Sequence, residues 1–167
     1  MDECRAIFAS DGLTNFGSAE ETFNKIHSEL GGEIRVFGHG GIEEFQWVPP
    51  NSNKVAGDLL IEPNQVGSHL VYVVGTDSDY RGLGVNTMLL ARAVSNRPNL
   101  ISLEGTLKWV NREVYMNARK LGLSQYEAIK MTPFYKSSKA VGFSRIGSKS
   151  IIPENEKDSI ILIMEKD

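Results

Sequence analysis

Residues 71–93, VYVVGTDSDYRGLGVNTMLLARA, join an apolar run to a glycine-rich loop and the start of a helix. Val71, Tyr72, Val73 and Val74 are β-branched or aromatic, the composition of a buried strand, and Asp77, Ser78 and Asp79 follow with turn chemistry. Next come Arg81, Gly82, Leu83, Gly84, Val85 and Asn86. Gly82 and Gly84 lack a Cβ, so the main chain there can turn its N–H groups toward one point. A helix starting near Asn86 adds its unpaired N–H groups and the positive end of its dipole. A strand that runs through such a loop into a helix is a cradle for an anion, phosphate above all.

Spacing separates the kinds of phosphate loop. A P-loop needs Gly-Lys-Ser/Thr after its second glycine, and this chain has Val85, Asn86 and Thr87 there. A dinucleotide fingerprint needs a third glycine where Thr87 stands. The spacing that matches is Arg/Gln-x-x-Gly-x-Gly/Ala after a strand. On it, Arg81-Gly-Leu-Gly84-Val-Asn86 resembles the acyl-CoA pyrophosphate loop of the Gcn5-related N-acetyltransferases, with Asn86 standing where that family has Gly or Ala. A second stretch, 133–143, PFYKSSKAVGF, is similar to the family's later helix, a tyrosine-containing turn that ends in Gly-Phe before the next strand. From the glycine loop alone, a β-to-α turn without ligand and a nucleotide-binding module both stay open.

The resemblance implies a mixed α/β (α+β) fold with a mostly antiparallel central sheet flanked by helices. The chain is then one acetyltransferase-like domain, 1–167, with a helical insert at about 109–131. The implied reaction is direct transfer of an acetyl group from acetyl-CoA to a primary amine, on a small molecule or a protein. The implied contacts to CoA are Val74, Gly75 and Thr76 along the pantetheine arm, and Arg81, Gly82, Leu83, Gly84, Val85 and Asn86 around the pyrophosphate. Tyr135 takes the place of an acid for the departing thiolate. Its reference pKa of about 10 keeps it protonated at neutral pH. His69, Glu62 and Glu104, on or beside expected central strands, are candidate bases for the amine. The alternative is a non-catalytic acyl-CoA-binding sensor or interaction module that keeps the cradle without the transfer.

Composition narrows the classes further. A chain of 167 residues that is 41% hydrophobic suffices for one core. A net charge of -3 gives no general attraction to nucleic acid or to anionic membranes, so an anion site must be local. The single cysteine, Cys4, cannot form an internal disulfide, there is no Cys/His metal spacing, and no apolar run is long enough to span a membrane. A cytoplasmic setting and a site without metal are the expectations. The final apolar strand suggests a homodimer if its edge is free.

Along the chain, a first strand is expected at 4–8, ended by a turn at Asp11 and Gly12. Ser18 to Glu21 is a capping box that starts a helix carrying Phe23, Ile26 and Leu30, stopped by Gly31 and Gly32. Strands at 34–37 and 42–48 form a hairpin through glycines 38, 40 and 41. Further strands are expected at 55–61, 100–107, 143–146 and 159–164. In the insert, Asn111 is expected to cap one helix and Ser124 to Glu127 to box a second; the pair reads either as packed helices with Trp109, Tyr115 and Tyr126 as core aromatics or as a substrate-pocket wall in which they touch a ligand. Thr132 and Pro133 open the helix that holds Tyr135.

Overall fold

The computed structural model describes residues 17–155 and 157–167; the strand expected at 4–8, the Asp11-Gly12 turn and Cys4 lie outside these. The elements in order are α1 (Ala19–Leu30), β1 (Glu33–His39), β2 (Ile42–Val48), β3 (Gly57–Pro63), β4 (His69–Thr76), α2 (Val85–Ser95), β5 (Ser102–Thr106), α3 (Trp109–Lys120), α4 (Gln125–Met131), α5 (Pro133–Ala140), β6 (Phe143–Ile146) and β7 (Ile161–Lys166). Their strands form one sheet in the order β1-β2-β3-β4-β5-β7-β6. Every neighbouring pair is antiparallel except β4 and β5. This is the mixed, mostly antiparallel α/β architecture that the sequence predicts.

Local chemistry accounts for the element ends. The Ser18 N–H donates to Glu21 Oε2 at 2.7 Å and the Glu21 N–H to Ser18 Oγ at 3.2 Å, so both halves of the expected box are made. The hairpin between β1 and β2 closes with His39 opposite Ile42, and its two turn residues, Gly40 and Gly41, have φ of 57° and 84°. Positive φ at both central positions is the turn whose twist matches the strands, and glycine adopts it without penalty. The second box, Ser124 with Glu127, is also formed, and hydrogen bonds from Ser124 hold the Glu127 carboxyl below its ordinary pKa.

Asn111 does not cap α3, which starts two residues earlier with Lys108 as its N-cap. Its Oδ1 instead accepts the Phe134 N–H at 2.7 Å, so it caps α5 from a neighbouring helix. Thr132 adds a 3.3 Å bond from the Tyr135 N–H, and Pro133 occupies the first helical position. The helix pair α3 and α4 is thereby tied to the start of α5. Of its aromatics only Tyr115 is core. Trp109 is 72% exposed and Tyr126 58% exposed, so neither is part of the core.

The sheet has two unlike faces. Leu59, Ile61, Leu70, Tyr72, Leu103, Leu162 and Met164 are buried on the face where α2 and α5 pack. The alternating positions Leu60, Val71 and Val73 are exposed on the other, and by strand register they share that face with His69, Ser102 and Glu104. The last strand, β7, is bonded on both sides, by β5 and β6, so it has no free edge to offer a second copy.

Gly105 in β5 is where α5 meets the sheet. A Cβ there would lie 2.2 Å from Phe134 Cε2, and the Phe134 ring is stacked on Tyr72 with centroids 5.2 Å apart. Gly105→Ala is therefore expected to destabilise the fold by about 1–3 kcal/mol. Phe134→Leu in the same chain should recover part of that loss, because it removes the colliding ring edge. Urea denaturation of the two single variants and the double variant checks this: strictly additive costs would show that the ring does not set the constraint.

Candidate active site

The two central strands part. The β4–β5 ladder runs through His69 opposite Ser102, Leu70 opposite Leu103 and Val71 opposite Glu104, and stops. Both strands continue on their outer sides, β4 with β3 as far as Thr76 opposite Gly57, and β5 with β7 as far as Thr106 opposite Ile161. A V-shaped gap results, closed at Val71 and Glu104 and open toward the C-terminal ends of both strands. Peptide direction alternates along a strand. The Asp77 N–H bonds Ala56 O on the β3 side, so the peptide groups of Val74 face the gap, where β5 is no longer in register to pair with them.

The glycine loop lies at the mouth of this gap. Leu83 and Val85 are each 1% exposed and anchor it in the core, while Gly82 and Gly84 hold φ of 76° and 87°, the left-handed region that glycine tolerates. Gly84 is the N-cap of α2 and offers no side chain to the helix's first N–H groups. Those amides, with the dipole of an 11-residue helix behind them, are available to an anion. Arg81 Nε donates to Thr76 O at 3.2 Å and ties the loop to the end of β4. Asn86, the departure from the family pattern, has a role of its own: its Oδ1 accepts the hydroxyl proton of Thr76, locking the first turn of α2 to the strand. Gly75 makes no bulge, since the β3 register passes unbroken through it. Its missing Cβ leaves room for the Asp58 carboxylate, whose Oδ1 would stand 3.0 Å from it.

At the closed end of the gap, on the exposed face, three side chains are linked. His69 Nδ1 lies 2.7 Å from Ser102 Oγ, and its Nε2 lies 2.8 Å from Glu104 Oε2. The cause is register: His69 and Ser102 are directly opposite, and Glu104 is two residues further along the same face of β5. An ionised carboxylate only accepts, so Nε2 carries the ring proton and Nδ1 accepts from the Ser102 hydroxyl. The His69 and Glu104 side chains are 25% and 30% exposed, so the group is reachable from solvent. Beside the gap, Asp58 has a carboxyl pKa raised first by burial and then by the nearby negative charge of Glu44. Glu62 lies on the same face of β3, further from the mouth, and is exposed.

Tyr135 is elsewhere. Its hydroxyl donates to Ser144 O at 3.2 Å, over β6, which β5 and β7 separate from β4. Burial, and then the Asp167 carboxylate, raise its pKa. The structure thus brings His69 and Glu104 together and leaves Tyr135 away from them. Tyr135 does lie in the first turn of α5, as its sequence position predicts, but its ring direction depends on the β6 carbonyl that α5 covers. Tyr72 is the tyrosine at the parting of the strands; its ring lies on the helix face, its hydroxyl 3.3 Å from Ser138 Oγ, and burial pushes its pKa well up. Ser102 is the member of the linked group that sequence reasoning missed, because nothing local marks a serine that faces a histidine 33 residues earlier. Arg97 is held by Glu43 and by Ala93 O. Among the described residues no group of three or more His, Cys, Asp or Glu is arranged to hold a metal.

No family model matches the chain, and no curated protein matches it in sequence. Solved structures do resemble it. A mutant of the spermidine N-acetyltransferase SpeG from Vibrio cholerae is 17% identical with a TM-score of 0.46, over 88% of this chain and 72% of that one. A ribosomal-protein-alanine N-acetyltransferase from Brucella melitensis is 16% identical with a TM-score of 0.45, over 75% of this chain and 68% of that one. Tetrahymena GCN5 is 11% identical with a TM-score of 0.45, over 77% of this chain and 71% of that one. What this chain shares with these acetyltransferases is a likeness of fold.

Proposed function

We propose that this chain is a CoA-dependent N-acetyltransferase that moves the acetyl group of acetyl-CoA directly to a primary amine. The observation that carries the proposal is the gap between β4 and β5 with an uncapped glycine loop at its mouth. A diphosphate suits the N–H groups of Gly82 to Asn86 and the α2 dipole. The two amides of a pantetheine arm suit the peptide groups of Val74, which lie between the loop and the closed end of the gap, so the arm takes the place of the missing strand partner. The thioester then falls beside Val71 and Glu104, and CoA supplies its acyl group there.

The chemistry needs a neutral amine and a way for charge to leave. Glu104 holds His69 through Oε2 and keeps Oε1 for the incoming amine, so the ammonium proton has a carboxylate to go to, and the imidazole buffers that charge. A thiol's reference pKa of about 8.5 makes the thiolate a tolerable leaving group that takes its proton from solvent. Tyr135 is not required in this scheme, because its hydroxyl is engaged on Ser144 O. Asp58 and Glu44 repel one another beside the mouth, and a cationic acceptor relieves that repulsion, which favours an amine carrying further positive charge.

Two outcomes test the proposal. In isothermal titration with CoA, Gly84→Asp should lose binding by a factor of about 100 or more with an unchanged circular dichroism spectrum, since it sets a carboxylate where the amides meet the diphosphate. Binding of CoA by neither the wild type nor the variant would remove the acetyltransferase proposal. In acetyl-transfer assays over a panel of polyamines and lysine peptides, Glu104→Gln should lower kcat/KM by about 10²–10⁴-fold with CoA affinity near wild type. Tyr135→Phe should stay within about threefold of wild type; a large loss there would return the tyrosine to the reaction.

A further inference from the structure

We propose that Ser102 is an activated nucleophile and that the chain cleaves small carboxylic esters through an acyl-serine intermediate, an activity that needs no CoA. A serine hydroxyl is a weak nucleophile on its own; it becomes a strong one when a base within hydrogen-bond reach takes its proton and a third group orients that base. All three conditions are met on the exposed face of the sheet. Ser102 Oγ is 2.7 Å from His69 Nδ1, and His69 Nε2 is 2.8 Å from Glu104 Oε2. The carboxylate fixes the tautomer in which Nδ1 is the free base, and it stabilises the imidazolium that forms when Nδ1 is protonated. The nitrogens are exchanged relative to the usual serine-protease triad, which leaves the roles intact, because recognition of a triad rests on geometry and not on chain order.

The surroundings suit a short acyl group. Val71 lies opposite Glu104 on one side and Ile163 opposite it on the other, both on the same face and diagonal to Ser102, so apolar side chains border the linked group on each flank. The other charged neighbour, Glu165 opposite Ser102, is paired with Arg145 at 2.8 Å. In the first half-reaction Ser102 Oγ bonds to the ester carbonyl carbon and its proton passes to His69 Nδ1. The carbon–oxygen bond to the leaving alcohol then breaks, and that oxygen takes the proton from Nδ1. In the second half a water molecule gives a proton to Nδ1 and attacks the acyl-serine. The carboxylic acid leaves and Ser102 recovers its proton.

The probes are a fluorophosphonate, which labels activated serines, and p-nitrophenyl acetate. The expected result is one phosphonyl group per chain, mapped by peptide mass to Ser102, with ester cleavage above the buffer rate. Ser102→Ala should lose both, and His69→Gln and Glu104→Gln should each slow labelling at least tenfold. Absence of label on the folded wild type, label on another residue, or label on Ser102 at the same rate in His69→Gln would each overturn the proposal. Thermal melts verify folding, and should Ser102→Ala fail to fold, the His69→Gln and Glu104→Gln labelling rates decide alone. Because neither probe contains CoA, this outcome is separate from that of the CoA titration.

Discussion

The parting of β4 from β5 is the constraint on which the rest of the molecule depends. A parallel pair that stayed in register to its end would satisfy its own peptide groups and leave nothing for a ligand. Here the ladder ends at Val71 and Glu104, yet both strands remain bonded on their outer sides, so the cost of the lost pairing is confined to a few peptide groups while the sheet stays whole. Main-chain groups that β5 no longer pairs lie next to a solvent-open gap, where water or a bound partner must satisfy them. The stacked rings of Tyr72 and Phe134, seated over Gly105 just past the last pair, mark the same place from the helix side.

Around that gap the two faces of the sheet divide the work. The buried face carries the core and sets positions: Leu83 and Val85 pin the glycine loop, and the Thr76–Asn86 bond registers the start of α2 against the end of β4. The opposite face carries the linked polar group. Ser102, His69 and Glu104 are spaced by strand register alone, which holds side chains more tightly than a loop would.

Charge is arranged with equal economy. The chain is acidic overall, yet the glycine loop and the helix it opens have no carboxylate among residues 80–95, while Glu44, Asp58, Glu62, Glu104 and Glu165 share the open face of the sheet. In the proposed reaction an anionic donor and a cationic acceptor would approach different sides of one gap, each drawn by local groups that the net charge does not reveal.

Sequence by itself determined what short-range chemistry decides. Ser18 with Glu21, Ser124 with Glu127, Gly40 with Gly41, and Thr132 with Pro133 each mark an element end through contacts within a few residues, and the glycine loop was recognisable because its spacing is local. The strand ends near 57 and 161 shifted by about two residues from expectation, since pairing with a neighbour, and not propensity, sets where a strand stops. What only the tertiary structure decided involves partners far apart in the chain. Asn111 caps α5 and not its own helix, Tyr135 turns its hydroxyl to a carbonyl of β6, β7 lies inside the sheet with no free edge, and His69 meets Ser102 and Glu104 across 33 and 35 residues. Propensity and motif spacing act within a turn or a strand, whereas these contacts are fixed by register and by packing against other elements, which no local window of sequence contains.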